Sequence, residues 1–304
     1  MSKENAERMV SMKKVGLVLE GGGERGVFTS GVLDYMMEKE LKLPYVIGVS
    51  AGACNAVDYA SWQPYRTKRC MIDSQKRYHL YSAKNILKTG YYIDMDLIFN
   101  QFPTSVYPFD FDTYAQSETR CLMTVTNCIT GKPEYIEENQ DAIRMMAACR
   151  ASSSLPFVSP MVKVDGKLMM DGGLTDSIPI QKATKDGYKY NIVILTRPKG
   201  YRKSSERPGK LVKLARRVYK DYPMLVKALA LRNRRYNKTM AVIEELEEKG
   251  RIFVIRPTIP CVGRTERDIA KLENFYEHGY ETMKKEWPRL LEWMKRAKDT
   301  EGEN

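Results

Sequence analysis

Histidine is nearly missing from this 304-residue chain, which has only His79 and His278. Six cysteines are present, at positions 54, 70, 121, 128, 149 and 261, and no two form a C-x-x-C pair. Two histidines and scattered cysteines make no metal-ligand pattern, so no metal is expected. No run of about 18 apolar residues occurs, which excludes a membrane-spanning helix. The first fourteen residues are polar and mixed in charge, without the apolar stretch of a secretory leader. A cytoplasmic protein with reduced thiols is the expectation. Internal repeats and low-complexity tracts are also lacking. With 43% hydrophobic residues the chain can still bury a sizeable core.

Acidic residues are scarce in one place. Between Lys199 and Lys238 fourteen Lys/Arg face only Glu206 and Asp221, an excess equal to the +12 of the whole chain. Leu211, Leu214 and Val218 recur there at helical spacing, and Leu225 and Leu229 do so again beyond Pro223. An amphipathic basic helix could meet an anionic membrane surface, or pack its apolar face on the protein and leave its charges in water. No nucleic-acid motif accompanies the charge, so no nucleic acid is expected.

The chain is organised around Tyr45-Val46-Ile47-Gly48-Val49-Ser50-Ala51-Gly52-Ala53. An apolar run ending in Gly-x-Ser-x-Gly fits a strand, a sharp turn and a helix, with the serine hydroxyl lifted above the strand end. Gly48 and Gly52 remove side chains that would collide across such a turn. The plainer reading is a tight turn whose serine caps the helix. Upstream, the apolar run Val15 to Leu19 leads into Gly21-Gly22-Gly23-Glu24-Arg25-Gly26 and a helix to about Glu40. Gly21-x-Gly23-x-x-Gly26 fits a dinucleotide-binding turn, yet the second strand ends in an alcohol and not in the acid that turn requires. The same loop suits backbone amides turned toward an oxyanion, with Arg25 adding positive charge, or a glycine-rich loop without a ligand.

Further on, a polar helix is expected from Pro64 to Tyr81 with His79 at the surface. An aromatic-rich excursion follows from Asn85 to Tyr114, packed on itself or walling an acyl-chain site. Strands are expected at Thr119 to Thr126 and Pro133 to Glu137, then a helix from Asp141 to Ala151 capped by Asn139. Ser152, Ser153 and Ser154 read as a helix end rather than as nucleophiles. Asp165-Gly166 marks a hairpin whose second strand delivers Asp171-Gly172-Gly173. An aspartate there can act as a catalytic carboxylate or simply shape the turn. A helix starts at Pro179 and a strand covers Tyr190 to Thr196. Past a polar loop at 197–210 come a basic helical stretch to about Leu231, a helix from Tyr236 to Lys249, a strand over 252–255, and a long helical region from Glu266 to Lys298, bent or broken near Pro288. His278 lies on that last helix as a structural residue.

Neither histidine sits where an α/β-hydrolase needs its base, so Asp171 bonded directly to Ser50 is the candidate general base. Taken together, the motifs at Gly21–Gly26, Gly48–Gly52 and Asp171–Gly173 resemble the patatin-like phospholipases over about Val15 to Thr196. The region beyond resembles the C-terminal extension of some bacterial members. The resemblance implies a three-layer α/β/α catalytic domain over 1–198 and a basic, mostly helical extension over 199–304. It implies lipid acyl-ester hydrolysis by a Ser50–Asp171 dyad without a cofactor. Amides around Gly22 and Gly23 would form the oxyanion hole, with Gly21, Arg25 and Gly26 completing the loop and Gly172 and Gly173 the aspartate turn. Glu24 stands where the family often carries an uncharged residue.

Overall fold

The computed structural model describes residues 15–204 and 209–299. The expectations for Met1 to Lys14, and for Glu206 and Pro208 in the polar loop, lie outside the described residues. Eight strands form one mixed sheet: β1 (Val15–Leu19), β2 (Tyr45–Val49), β3 (Arg120–Asn127), β4 (Pro133–Glu137), β5 (Val162–Val164), β6 (Lys167–Asp171), β7 (Tyr190–Ile194) and β8 (Ile252–Ile255). Their order is 5-6-3-2-1-7-8, with β4 paired to β3. Every residue of β1, β2 and β7 is buried, as the unbroken apolar runs of central parallel strands require.

The longer helices are α1 (Gly26–Glu38), α2 (Ala51–Ala60), α3 (Ala142–Ser152), α4 (Lys210–Val218), α5 (Pro223–Glu248) and α6 (Ile269–Asp299). Alternate strand residues serve opposite faces. Leu17 and Leu19 pack with Phe28, Val57, Met145 and Phe275, from α1, α2, α3 and α6. Val18 and Ile47 pack with Ile180, Tyr236 and Met240, from the short helix Ile180–Lys185 and from α5. The result is a three-layer α/β/α arrangement with a mostly helical C-terminal region.

That region is built into both outer layers and one sheet edge. β8 lies parallel to β7, Asn191 opposite Ile252. α6 crosses α1 with Phe28 and Phe275 ring centroids 5.6 Å apart. Two glycines permit the crossing. A Cβ on Gly31 would fall 2.2 Å from the Tyr276 carbonyl oxygen, and one on Gly279 would fall 2.1 Å from that of Phe28. His278 is structural as expected: its Nε2 accepts from the Thr258 amide at 3.0 Å, and its ring lies against Phe28 and Phe275.

Three local expectations need correction. The segment 64–81 is a six-residue helix, Arg66–Met71, and a 3₁₀ turn, Asp73–Lys76. There the Ser74 hydroxyl donates to the Cys70 carbonyl at 2.6 Å and competes with the helical ladder. Asp141, not Asn139, caps α3, its carboxylate accepting the amides of Ile143 and Arg144. From Pro223 on, the stretch to about Leu231 and the helix from Tyr236 are one helix, α5: the proline occupies its first turn, where the missing N–H costs nothing, and it runs unbroken to Glu248.

The crossing gives a test in which two effects oppose. Helix propensity alone would make Gly279→Ala stabilising by about 1 kcal/mol. The clash with Phe28 predicts a loss of about 1–3 kcal/mol in urea unfolding. Gly209→Ala, at a glycine with no atom near its added Cβ, should change little. A more stable Gly279→Ala protein would contradict the packing.

Candidate active site

The register of β3 brings the separate motifs together. β4 pairs along one edge of β3 over Leu122–Thr126. The overlapping partners β2 and β6 must therefore share the other edge. β2 pairs until Val49 meets Thr124, and β6 takes over where Val125 meets Asp171. Ser50 leaves β2 at the row where Asp171 arrives.

Ser50 has φ 57° and ψ −126°, a conformation that a non-glycine residue adopts under strain. Its side chain makes no capping bond to α2, which sets aside the capping role. The close turn needs Gly48, whose Cβ would lie 2.1 Å from the Gly52 carbonyl oxygen. The elbow is anchored from α3: the Ser50 amide donates to Ser152 Oγ at 2.8 Å, and that hydroxyl donates to the Thr124 carbonyl at 2.6 Å. Two residues on, the Ser154 carbonyl accepts the Asp171 amide at 2.8 Å. The serine run thus ties both motif residues to one helix end. Sequence reasoning recognised the helix end and missed this positioning, because the partners lie far away along the chain.

Asp171 is buried. Its Oδ1 accepts the Gly173 amide at 2.6 Å, so it does shape the turn through Gly172 and Gly173. Burial pushes its carboxyl above the ordinary range, while Arg232, the Gly173 amide, Arg264 and a hydrogen bond with the Ser50 side chain pull the other way. A desolvated carboxylate facing an alcohol is a stronger proton acceptor than one in water.

The glycine loop closes the site from β1. Gly21, Gly22, Gly23 and Arg25 line a recess of about 30 Å³ together with Ser50 and Asp171. Gly23 has φ 59°, and a Cβ there would fall 2.5 Å from the Arg264 carbonyl oxygen, which also accepts the Glu24 amide. Gly26 instead packs on α2, its carbonyl accepting from Asn55. Arg25 is buried with its Nε unpartnered. Glu24 is buried too. Its Oε1 accepts the Tyr81 hydroxyl at 2.5 Å, and burial pushes the carboxyl up to about 8, against the pull of that bond. It is therefore neutral at pH 7 and brings no charge to the loop.

On its other side Ser50 borders a cavity of about 420 Å³ with a mainly apolar wall. Ile93, Ile98, Phe99 and Phe102 of the aromatic excursion form one side, and Leu155, Phe157 and Leu229 another. The excursion packs on itself as well, Phe102 against Tyr107 and Phe109 against Phe111 and Tyr114. Cys54 and Cys70 also face the cavity, and burial pushes both thiols up to about 12. All six cysteines are free, and no helix among the described residues is long and apolar enough to cross a membrane.

The chain has relatives among known proteins. The family model for patatin-like phospholipases matches residues 17–184, more than half of the chain. The chain belongs to the patatin-like phospholipase family. A second model, a domain of unknown function (DUF6363), matches residues 222–295. The protein YjjU of Escherichia coli is 30% identical over 190 residues, 61% of this chain and 52% of that protein. Lysophospholipase NTE1 of Meyerozyma guilliermondii is 29% identical over 62% of this chain and 13% of its own length. The chain thus spans about half of the first relative and a small part of the second. The crystal structure of VipD from Legionella pneumophila aligns over 94% of this chain and 67% of its own, with a TM-score of 0.46 and 13% identity.

Glu24 yields a pH-dependent test of the burial. Below about pH 4.5 it is protonated in folded and unfolded chains alike, so it costs nothing. Between about 4.5 and 8 the unfolded chain releases the proton and the folded one holds it, and wild type loses stability progressively. Glu24→Gln has no proton to hold. Its advantage over wild type should grow from pH 5 to pH 8, with an upper limit of about 5 kcal/mol at about 1.4 kcal/mol per unit. Melting temperatures of both proteins across that range check it, and an advantage independent of pH would contradict it.

Proposed function

We propose that this protein is a serine-dependent acyl-ester hydrolase acting on lipids, with Ser50 as nucleophile and Asp171 as general base. The observation that carries the reading is the position of Ser50. It stands on a strained turn, beside a buried carboxylate, at the mouth of an apolar cavity large enough for an acyl chain. The names of the relatives, among them lysophospholipase NTE1, point the same way.

In this reading Ser50 Oγ attacks the ester carbonyl carbon as its proton passes to Asp171. The carbonyl oxygen becomes an oxyanion held by the amides of Gly22 and Gly23 and the positive end of α2. Asp171 returns the proton to the departing alcohol as the C–O bond breaks, leaving an acyl group on Ser50. A water deprotonated by Asp171 then releases the fatty acid and restores the serine. No cofactor takes part. The dinucleotide reading of the glycine loop gains no support, since β2 runs from Val49 into Ser50 where that reading needs an acid.

The dyad has a direct test. A fluorophosphonate should label wild type at Ser50 and fail to label Ser50→Ala. Asp171→Asn should lower ester hydrolysis by about 10²–10⁴, the range for a general base. A folded His79→Gln/His278→Gln protein should stay within about tenfold of wild type. Labelling at Ser152, Ser153 or Ser154, or a dead histidine variant, would overturn the assignment.

We also infer that α4 docks the protein on an anionic membrane. Val212 and Ala215 turn inward, whereas Leu211, Leu214 and Val218 are 54%, 47% and 55% exposed. The face expected either to meet lipid or to pack on the protein is thus left open, with Lys213, Arg216, Arg217 and Lys220 exposed around it. Leu211 also lines the cavity, so a docked helix would set the cavity against the lipid. Apolar insertion and about 1 kcal/mol per cation near the surface would act together. Co-sedimentation should favour anionic over neutral vesicles and weaken from low to physiological salt. Arg216→Glu/Arg217→Glu/Lys220→Glu should abolish the preference. Equal binding to both vesicle types, unaltered by the substitutions, would exclude docking.

A further inference from the structure

The small recess beside Ser50 is crowded with cations. Arg25, Arg197, Lys203, Arg232 and Arg264 line it, against two carboxylates, Glu20 and Asp171. Glu20 is already engaged, its oxygens accepting the Thr196 amide at 2.6 Å and the Tyr236 hydroxyl at 3.0 Å. Among the described residues none of the five cations has a carboxylate oxygen within 4.0 Å. All but Arg25 come from beyond residue 196. The backbone of Lys203 is strapped to α5 by Asn237, which accepts its amide and donates to its carbonyl, both at 2.9 Å. Its Nζ lies 3.7 Å from the centre of the Tyr236 ring. Arg232 donates through Nε to the Gly173 carbonyl at 2.8 Å, leaving its outer nitrogens for another partner. Arg264 comes from the loop before α6, whose backbone braces Gly23 and Glu24.

Such crowding is costly without an anion. Burial and the neighbouring guanidinium groups pull Arg25 and Arg232 down to about 10 and Lys203 to about 6, so Lys203 is mostly uncharged at pH 7 in the empty recess and regains its proton when an anion enters. Structural cations in a buried place are ordinarily paired with carboxylates. Here the unpaired ones converge on the reacting serine. Gly23, Ser50, Leu155, Arg232 and Arg264 line both the recess and the apolar cavity, so the two spaces meet at Ser50. A molecule with its ester at Ser50 and its acyl chain in the cavity would turn its alcohol side toward the cations. The recess has room for a few water-sized groups, which suits a compact oxyanion and not a bulky sugar.

From this juxtaposition we propose that Lys203, Arg232 and Arg264 form an anion subsite that selects acyl esters carrying a phosphate close to the ester bond. The C-terminal region thereby sets head-group specificity for chemistry performed by the preceding domain. The proposal rests on the hydrolase reading, and its test separates the two.

Dodecanoyl-glycerol 3-phosphate, dodecanoyl-glycerol and dodecanoyl-glycerophosphocholine, all below their micelle-forming concentrations, isolate head-group recognition from surface docking. Wild type should show a kcat/KM about 10–100-fold higher for the phosphate monoester than for the glycerol ester, the scale of one or two charge-assisted hydrogen bonds. The phosphocholine should fall between them. Lys203→Gln should lower the phosphate substrate about tenfold or more and alter the glycerol ester less than about threefold, and Arg264→Gln, whose charge also bears on Asp171, should lower the phosphate substrate at least about tenfold more than the glycerol ester. Arg264→Lys should recover part of the preference. As a readout independent of turnover, inorganic phosphate and glycerol 3-phosphate should raise the melting temperature of wild type at constant ionic strength, and less so in Arg264→Gln. Stabilisation by glycerol 3-phosphate and by the dodecanoyl phosphate ester, but not by inorganic phosphate, would assign the subsite to the lipid head group. Stabilisation by inorganic phosphate alone, without preference among the esters, would overturn the head-group assignment. Equal turnover of all three esters, or equal losses on charged and neutral esters in the variants, would likewise overturn it. If instead no ester is cleaved and Ser50 resists fluorophosphonate, the hydrolase reading falls, and the phosphate-dependent melting shift alone judges the anion site.

Discussion

The site depends on where β2 stops along β3. With β4 holding one edge, β3 offers a single remaining edge to a parallel and an antiparallel strand in succession. The junction between them leaves no ladder partner for the residue after Val49, and Ser50 turns out of the sheet there. Everything nearby accommodates that turn. Gly48 and Gly52 let two backbone segments touch, Ser152 takes up the amide that the ladder has released, and the last residue of β6 becomes the carboxylate opposite. Two strands of unlike direction thus deliver their ends to one point without a long loop, which keeps both side chains on rigid elements.

How much of this could be read from the residues follows from the range of each interaction. The glycine turn, the serine turn and the Asp165-Gly166 hairpin were legible because their geometry is set by neighbours within a few positions. Asp171 was legible as a strand end, and the lack of a suitably placed histidine made it the candidate base. That it meets Ser50 depends on a register between β3 and β6 that no local pattern encodes. Ser152 looked like any helix-end serine, since its donor lies in another motif. Residues 232–235 were read as a gap between two helices and instead continue α5, since they hold neither glycine nor proline to stop it. Asn139 and Asp141 compete for one cap, and the residue adjacent to the first helical position prevailed.

The charge distribution was the least legible feature, because a count does not give direction. The segment from Lys199 to Lys238 holds the chain's whole positive excess, and it divides by position. The α4 cations point into water around an open apolar stripe. Lys203 and Arg232 point inward, joined by Arg264 from the loop before α6 and Arg25 from the glycine loop. One composition therefore serves two environments, and only the path of the backbone separates them. Glu24 shows the reverse. It looked like an anion in the loop, and burial beside Tyr81 makes it an uncharged hydrogen-bonding group.

The crossing of α1 and α6 through Gly31 and Gly279 bears on how the chain comes to life on the ribosome. All three motifs have been synthesised by Gly173, yet the layer over α1 and the outer strand beside β7 are supplied by residues from 252 onward. Until then the growing chain carries an elbow, a glycine loop and an aspartate on a sheet with one bare edge and one uncovered helix. α6 leaves the ribosome long after α1, the helix it covers. The covering of α1 is therefore late, coming after the residues of all three motifs have been made.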